Sequence, residues 1–311
     1  MNENDDNLKI DHPGYHNPVL FNEALEALKI ESDGVYVDCT FGGGGHSKGI
    51  LEKLNEKGRL IAFDQDADAQ QNLLNDGRII FVPHNFRHLQ RFLRLYKHPK
   101  VNGILADLGV SSFQFDKPER GFSTRFNGPL DMRMDRRTTK IASDILMQYP
   151  ESELHKLFES YGEISNSKTL AKHIVQHRKP AVLKDTRSFK IFLSPVIKGN
   201  PNKYLAQVFQ ALRIEVNDEL GALKEMLGQL PEVLLPGGRA VIITFHSLED
   251  RLVKNFFRSI NETHDENNPF STVTKQPVFK TLSKKPIAPS VEEKRINPRA
   301  RSAKLRAVEK I

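Results

Sequence analysis

The stretch GVYVDCTFGGGGHSKGI, residues 34–50, followed by GRLIAFD at 58–64, decides how this chain is read. Its first part, GVYVD, is a short strand of the buried type. Four glycines follow, and then a helical pattern runs from Ser47 to about Leu54. GRLIAFD reads as a second strand with a helix expected after it. IIFVP at 79–83 gives a third, after which helical spacing returns at Leu89, Phe92, Leu93 and Tyr96. NGILADL at 102–108 gives a fourth. Strands alternating with helices predict right-handed βαβ units and a parallel sheet covered on both faces, so the fold class is α/β.

Upstream, Phe21, Ala24, Leu25 and Leu28 recur at helical spacing, and residues 1–15 are polar and expected to be loose. Downstream, residues 109–136 are rich in Gly, Arg, Asp and Ser without periodicity, which reads as a long functional loop. From 137 to 204 one helical pattern succeeds another with no convincing strand. A long helix is then expected from Leu205 to Leu235, closed by Pro236-Gly237-Gly238. RAVIITF at 239–245 resumes the α/β pattern. The economical account is one α/β domain, 16–136 and 205–311, interrupted by a helical insertion, 137–204.

The composition fits a folded protein: of 311 residues 38% are hydrophobic, and 19 Phe can fill a core. A single cysteine, Cys39, excludes an intramolecular disulfide and any zinc site built on several thiolates, and it fits a reducing compartment. There is no apolar run of 18 residues and no signal-peptide pattern, so a cytoplasmic protein without a membrane partner is expected. The net charge is +7, and residues 271–311 hold eleven Lys or Arg against three acids, leaving the rest near neutral. Such a basic end can bind a polyanion by counterion release, and nucleic acid is the expected one. Apolar residues alternate through it (Val278, Phe279, Leu282, Ala303, Leu305, Ala307), so docked strands are expected rather than free coil.

The glycine run lets the backbone take positive φ and lets a ligand approach without Cβ interference. At the carboxyl edge of a parallel sheet this is where nucleotide-like cofactors bind. Asp64 ends the second strand 22 residues after Gly42, where an acid can accept hydrogen bonds from both ribose hydroxyls. The nicotinamide fingerprint fails at its third glycine, where Ser47 stands, and no G-K-[ST] is present. S-adenosylmethionine needs ribose recognition but no pyrophosphate cradle, and Asp38 suits its ammonium, so this donor is the expected cofactor. Asp64 to Asp68 begins like a calcium loop but has Ala69 and Asn75 where Gly and Glu are required. His246, Glu249 and Asp250 lack a second His at ligand spacing; a hydrogen-bonded role is expected for them, and no metal. Asp107 ends the fourth strand beside the cofactor's reactive end. Arginines, an aromatic and glycines interleave from Glu119 to Met134, which suits phosphate contacts and base stacking.

The ordered set HNPVL (16–20), DCTFGGGGHS (38–47), DLGVSS (107–112), RGFS (120–123), GPLDMRM (128–134), FQALRIEVN (209–217), FHSLEDR (245–251) and NPRARS (297–302) resembles the MraW/RsmH family of ribosomal RNA small-subunit methyltransferases. The resemblance spans about residues 15–308. It implies a class I, Rossmann-like methyltransferase sheet with an inserted helical domain. The implied reaction is S-adenosylmethionine-dependent N4-methylation of a cytidine in the decoding region of 16S ribosomal RNA. By motif position it assigns the donor to Gly44, Gly45 and His46, with Asp64 at the ribose, Phe86 against the adenine, and Asp107 and Gln114 completing the site. Arg120, Asp131, Arg133, His246, Arg299 and Arg301 are the expected RNA contacts. The segment before Phe209 reads GNPNKYLAQV where the family commonly has H-P-A-T-R, and Cys39 stands where glycine is common. No general base is assigned. A dehydrogenase, a non-catalytic ribosome-assembly factor and an enzyme acting on DNA or another RNA are the competing readings. The oligomeric state, a homodimer included, and the choice between naked RNA and assembled subunit are left open.

Overall fold

The computed structural model describes residues 18–261, 263–265, 268–273 and 277–311. The loose start expected over 1–15, His16 and Asn17 of the first motif, and Lys275 of the basic end lie outside the described residues.

Five strands run parallel: β1 (Val35–Asp38), β2 (Arg59–Phe63), β3 (Ile79–Val82), β4 (Val101–Asp107) and β5 (Leu234–Thr244). A separate two-stranded ribbon follows, β6 (Thr263–Asp265) with β7 (Asn268–Val273). The last two strands, β8 (Phe279–Thr281) and β9 (Lys304–Lys310), return to the main sheet. Its order is β3-β2-β1-β4-β5-β9-β8, with β9 antiparallel to both of its neighbours. The order reverses between β1 and β4, which puts the crevice for a ligand outside the carboxyl ends of those strands.

Side-chain alternation builds two cores from one sheet. Val37, Ile61, Phe63, Ile104, Ala106, Ala240 and Ile242 face the helices Leu89–Leu95, Glu219–Val233 and Ser247–Ser259. Tyr36, Leu60, Leu105, Val241, Ile243 and Leu305 face the helices Phe21–Leu28 and Gly45–Lys53. The basic end is docked as its alternation predicts, with Phe279, Ala303, Leu305 and Ala307 all buried.

Three local expectations need correction. After β2 the chain forms a 3-10 turn, Ala67–Asn72, capped by the Asp66 carboxylate, in place of an α-helix. The helix expected from Leu205 to Leu235 is two, Pro201–Asn217 and Glu219–Val233, because Asp218 takes a left-handed conformation (φ 49°) between them. Leu234 already pairs with Val101 and Arg239 with Gly103, so Pro236-Gly237-Gly238 form an excursion inside β5 rather than a helix stop.

The insertion packs four helices, Ala142–Gln148, Glu151–Ser160, Ser167–His177 and Thr186–Leu193, around Leu146, Phe158, Leu170, Ile174 and Phe189. That core extends past 137 and 204. It takes in Phe122, Leu130, Met132 and Met134 from the long loop, and Tyr204, Val208 and Leu212 from the Pro201–Asn217 helix. The loop is therefore anchored at both ends, in the sheet and in the insertion.

Candidate active site

The glycine run makes a tight connection from β1 to the Gly45–Lys53 helix. Gly44 has φ 75°, and a Cβ there would sit 3.0 Å from the Phe41 ring. The acid at each neighbouring strand end does a different job. Asp38 is buried, accepting from the Thr40 N–H at 3.0 Å and the Ser47 hydroxyl at 2.7 Å. Both its oxygens brace the loop from inside, which corrects the expectation of an open carboxylate for an ammonium. Asp64 accepts the Gly42 N–H at 2.8 Å on one oxygen and the Asp66 N–H at 2.8 Å on the other. Each oxygen keeps acceptor capacity, as recognition of paired hydroxyls requires. Burial pushes this carboxyl up to about 7, against the two N–H groups that pull it down.

Asp107, at the end of β4, donates its N–H to Thr40 Oγ1 at 2.7 Å. Its Oδ2 lies 3.6 Å from His46 Nδ1, while its Oδ1 is buried without a hydrogen-bond partner among the described residues. Burial, then the nearby Asp38 and Glu249 charges, push its carboxyl well above the usual range. An orphaned carboxylate oxygen at this depth is costly unless a ligand completes it. His46 is buried against Phe21 and held down to about 4, hence neutral at physiological pH.

Gln114 is a surprise in its role. It closes a capping box with Ser111 and donates from Nε2 to Asp66 Oδ2 at 2.7 Å. The Arg120 guanidinium reaches the same Asp66 oxygen at 2.7 Å, Asp68 at 2.9 Å and the Arg133 carbonyl at 3.0 Å. Arg120 is 1% exposed, so its expected contact with RNA is corrected: the guanidinium ties the turn after β2 to the long loop. The loop then crosses over that side of the edge. Gln65 Nε2 lies 3.3 Å from Met134 Sδ, and Arg137 donates to the Pro83 carbonyl at 3.0 Å. Phe86, half-buried, starts the 3-10 turn Phe86–His88 after β3. Asp131 and Arg133 pair bidentately at 2.7 and 2.8 Å, each about one-fifth exposed. Asn217, which the sequence reading gave no role, clamps the loop: it accepts the Met134 N–H and donates to the Met132 carbonyl, both at 2.7 Å. Its place at the end of FQALRIEVN was the available signal.

His246 caps the Ser247–Ser259 helix, and its Nε2 lies 3.2 Å from Glu249 Oε1. Glu219, His246 and Glu249 bring ligand-type atoms within 4.8 Å of one another. The Arg213 guanidinium already meets that charge, bidentate on Glu219 at 2.8 and 2.9 Å, and against burial the His246 ring, then the Phe245 N–H and lastly Arg213 hold Glu249 low. Arg299 bonds Asp116 at 2.5 Å and lies over the Phe115 ring, whereas Arg301 is exposed. Lys304 and Arg306, counted as part of the basic end, both bond Asp250. No helix among the described residues is long and apolar enough to cross a membrane.

A doubly wound α/β sheet with a glycine turn, a strand-end acid that keeps acceptor capacity and an unsatisfied carboxylate along one edge defines the Rossmann-like class. Within that class the chain belongs to the MraW methylase family, whose model matches residues 14–311. It is 51% identical over 300 residues to a protein of Parabacteroides distasonis, covering 96% of this chain and 98% of that one. To a protein of Bacteroides thetaiotaomicron it is 50% identical over 305 residues, covering 97% and 100%. Both relatives bear the name ribosomal RNA small subunit methyltransferase H. Among solved structures, an rRNA methylase from Streptococcus thermophilus aligns with a TM-score of 0.41 at 11% identity, covering 97% of this chain and 98% of that one.

Proposed function

We propose that this chain transfers a methyl group from S-adenosylmethionine to the exocyclic N4 amine of a cytidine in the decoding region of 16S ribosomal RNA, in the small subunit and in the cytoplasm. Family membership and the relatives' names support the substrate class. The observation that carries the chemistry is the unpartnered Asp107 oxygen at the sheet edge beside Gly42–Gly45.

The donor supplies an electrophilic methyl on a sulfonium; the rest falls to the residues. Asp64 fits the ribose hydroxyls, and Gly44, Gly45 and His46 shape the turn against which the donor lies. Phe86 offers an aromatic face for the adenine. Gln114 acts through Asp66, positioning the Asp64 turn. The target amine is a weak nucleophile whose hydrogens grow acidic as the new bond forms, so an acceptor held beside it lowers the barrier. Asp107 is that acceptor. Its elevated carboxyl, once ionised by a cation nearby, is basic enough to take the proton. The base has to be unstacked to reach this edge, which favours a single-stranded or distorted site.

The test is methyl transfer from labelled donor to unmodified small subunits, with nucleoside mass spectrometry of the RNA. N4-methylcytidine is expected; a different methylated nucleoside overturns the assignment. A second expectation concerns pH. Free Asp64 holds its proton up to about 7, and ribose hydroxyls need the carboxylate, so binding must release that proton. Donor affinity should therefore climb by about tenfold per pH unit below 7 and level off above it. Asp64→Asn should weaken binding and flatten the profile; calorimetry at pH 6, 7 and 8 checks both.

A further inference from the structure

From Gly77 to Ala106 the chain contains six Lys or Arg and three His and no acid. Three of the six cations are engaged: Arg78 pairs with Asp76, Arg87 pairs with Asp218 and Glu225, and Lys100 donates to the Glu232 carbonyl. Arg91, Arg94 and Lys97 have no carboxylate within ion-pair distance among the described residues, and all three are exposed. They stand on or directly after the helix Leu89–Leu95.

The helix turns these groups to solvent because its other sides are taken. Leu89 and Leu93, one turn apart, are buried against the sheet, and Phe92 stacks on the His84 ring at 4.7 Å. The Glu219–Val233 helix covers a flank: Gln229 accepts the Gln90 N–H and donates to the Arg87 carbonyl, both at 2.7 Å. Gln90, Arg91, Arg94 and Leu95 are left over, and they line an open hollow of about 530 Å³. Arg91 and Arg94 are three residues apart, so both guanidiniums serve it. Leu95 is 65% exposed beside them. The positive charge continues toward the donor edge, where the helix begins. Arg137 of the long loop donates to the Pro83 carbonyl at 3.0 Å, and its neighbour Arg136 is exposed without a carboxylate partner among the described residues. Burial first, and then the charges of Arg137, His88 and Arg91, hold the His84 pKa down against Asp135, so these cations lie around one ring. The acids that border the stripe are engaged, Asp135 on Arg137, and Asp218 and Glu225 on Arg87.

Two unpaired, planar guanidiniums one turn apart match phosphate oxygens bidentately, and a row of cations binds a polyanion by counterion release. We infer that the outer face of the helix Leu89–Leu95 is a second RNA contact, lying in the α/β domain. There Gln90, Arg91, Arg94 and Lys97 hold the sugar–phosphate backbone of ribosomal RNA beyond the target nucleotide. This rests on the reading of RNA as substrate. The helix leads from the carboxyl end of β3 to the start of β4, two strands of the same direction, so it descends from the donor edge toward the opposite edge of the sheet. RNA on this stripe runs down the side of the domain, away from the reacting base. Such a grip favours folded ribosomal RNA over a short strand, because only an RNA that reaches both places gains from their linkage.

The test combines Arg91→Gln, Arg94→Gln and Lys97→Gln in the full chain. Binding to purified small-subunit rRNA, to intact subunits and to a short single strand carrying the target cytidine is measured between about 50 and 200 mM KCl. Each lost phosphate contact should reduce the slope of log affinity against log salt on rRNA by about 0.7–0.9, a fall of about 2–3 in all. The short strand should bind as it does to wild type, and donor binding by calorimetry should be unaltered, which verifies the fold. Arg91→Lys with Arg94→Lys should keep the slope. If the triple variant fails to fold, Arg94→Gln alone is read, with a fall of about 0.7–0.9. In the control, Lys29→Gln, Lys53→Gln and Lys57→Gln remove three exposed cations beside the helices of the other face, and the slope should stay as it is. An unchanged slope in the Arg91, Arg94 and Lys97 variant overturns the surface, as does an equal fall in the control or on the short strand. An unchanged slope on purified rRNA with weaker binding to intact subunits also overturns it, and points to an acidic protein as the partner. If the slope falls as expected but wild type forms no N4-methylcytidine, the proposed reaction fails and the surface stands.

Discussion

Replacing Asp107 with Asn is expected to lower kcat for methyl transfer by about 10²–10³-fold, equivalent to ~3–4 kcal/mol of transition-state stabilisation. The side chain keeps its shape, so the Thr40 contact to the backbone N–H and the end of β4 stay in place. What is lost is a negative group next to an amine that becomes cationic as it is methylated, and the acceptor for its proton. The wild-type site concentrates three carboxyls, Asp38, Asp107 and Glu249, in a buried space. Asp38 has two hydrogen bonds and Glu249 a histidine and nearby Arg213, leaving Asp107 as the group that a reacting cation would satisfy. Single-turnover rates measured at saturating donor decide the matter. If the donor KM rises while kcat holds, Asp107 only binds the donor and the acceptor role fails.

The other large effect is on the fold. Arg120→Met should cost about 3–5 kcal/mol, because Asp66 and Asp68 would keep their charge beside a buried apolar chain. For a protein of this size that is a fall in Tm of about 5–8 °C. Donor affinity should drop with it, since the Asp66 N–H orients Asp64. Scanning calorimetry of the variant, with and without donor, reads both effects. A wild-type melting curve together with a flattened RNA salt dependence would return Arg120 to the phosphate-binding role that its sequence context suggested.

Arg120 shows where sequence reading stops. The strands were legible because each is a short apolar run ending at an acid or a turn, and a buried parallel sheet imposes that pattern. The glycine run and Asp64 were legible because their spacing follows from the same geometry. A guanidinium, by contrast, looks alike whether it faces solvent or two aspartates 52 and 54 residues upstream. The same holds for Lys304 and Arg306, whose partner Asp250 is more than 50 residues away. Counting charges along the chain therefore overstated the free charge of the basic end. It also passed over residues 164–203, where nine Lys or Arg stand against one acid, Asp185. The break at Asp218 was hidden for another reason: apolar spacing continues on both sides of it, and a single left-handed residue leaves that spacing readable as one helix.

The place of β9 between β5 and β8 sets an order on synthesis. The edge of β5 emerges from the ribosome about 60 residues before the strand that covers it. At roughly 5–20 residues per second the nascent chain carries that open edge for about 3–12 s. During this interval β8 has no strand to join, because among the described residues its neighbour in the sheet is β9 alone. Asp250 likewise waits for Lys304 and Arg306. Five parallel strands can close early, but the sheet becomes whole only in a final step that inserts one strand and docks another. An unpaired edge is a template for foreign strands, so slowing or interrupting translation over residues 245–303 prolongs the exposure of this protein to aggregation.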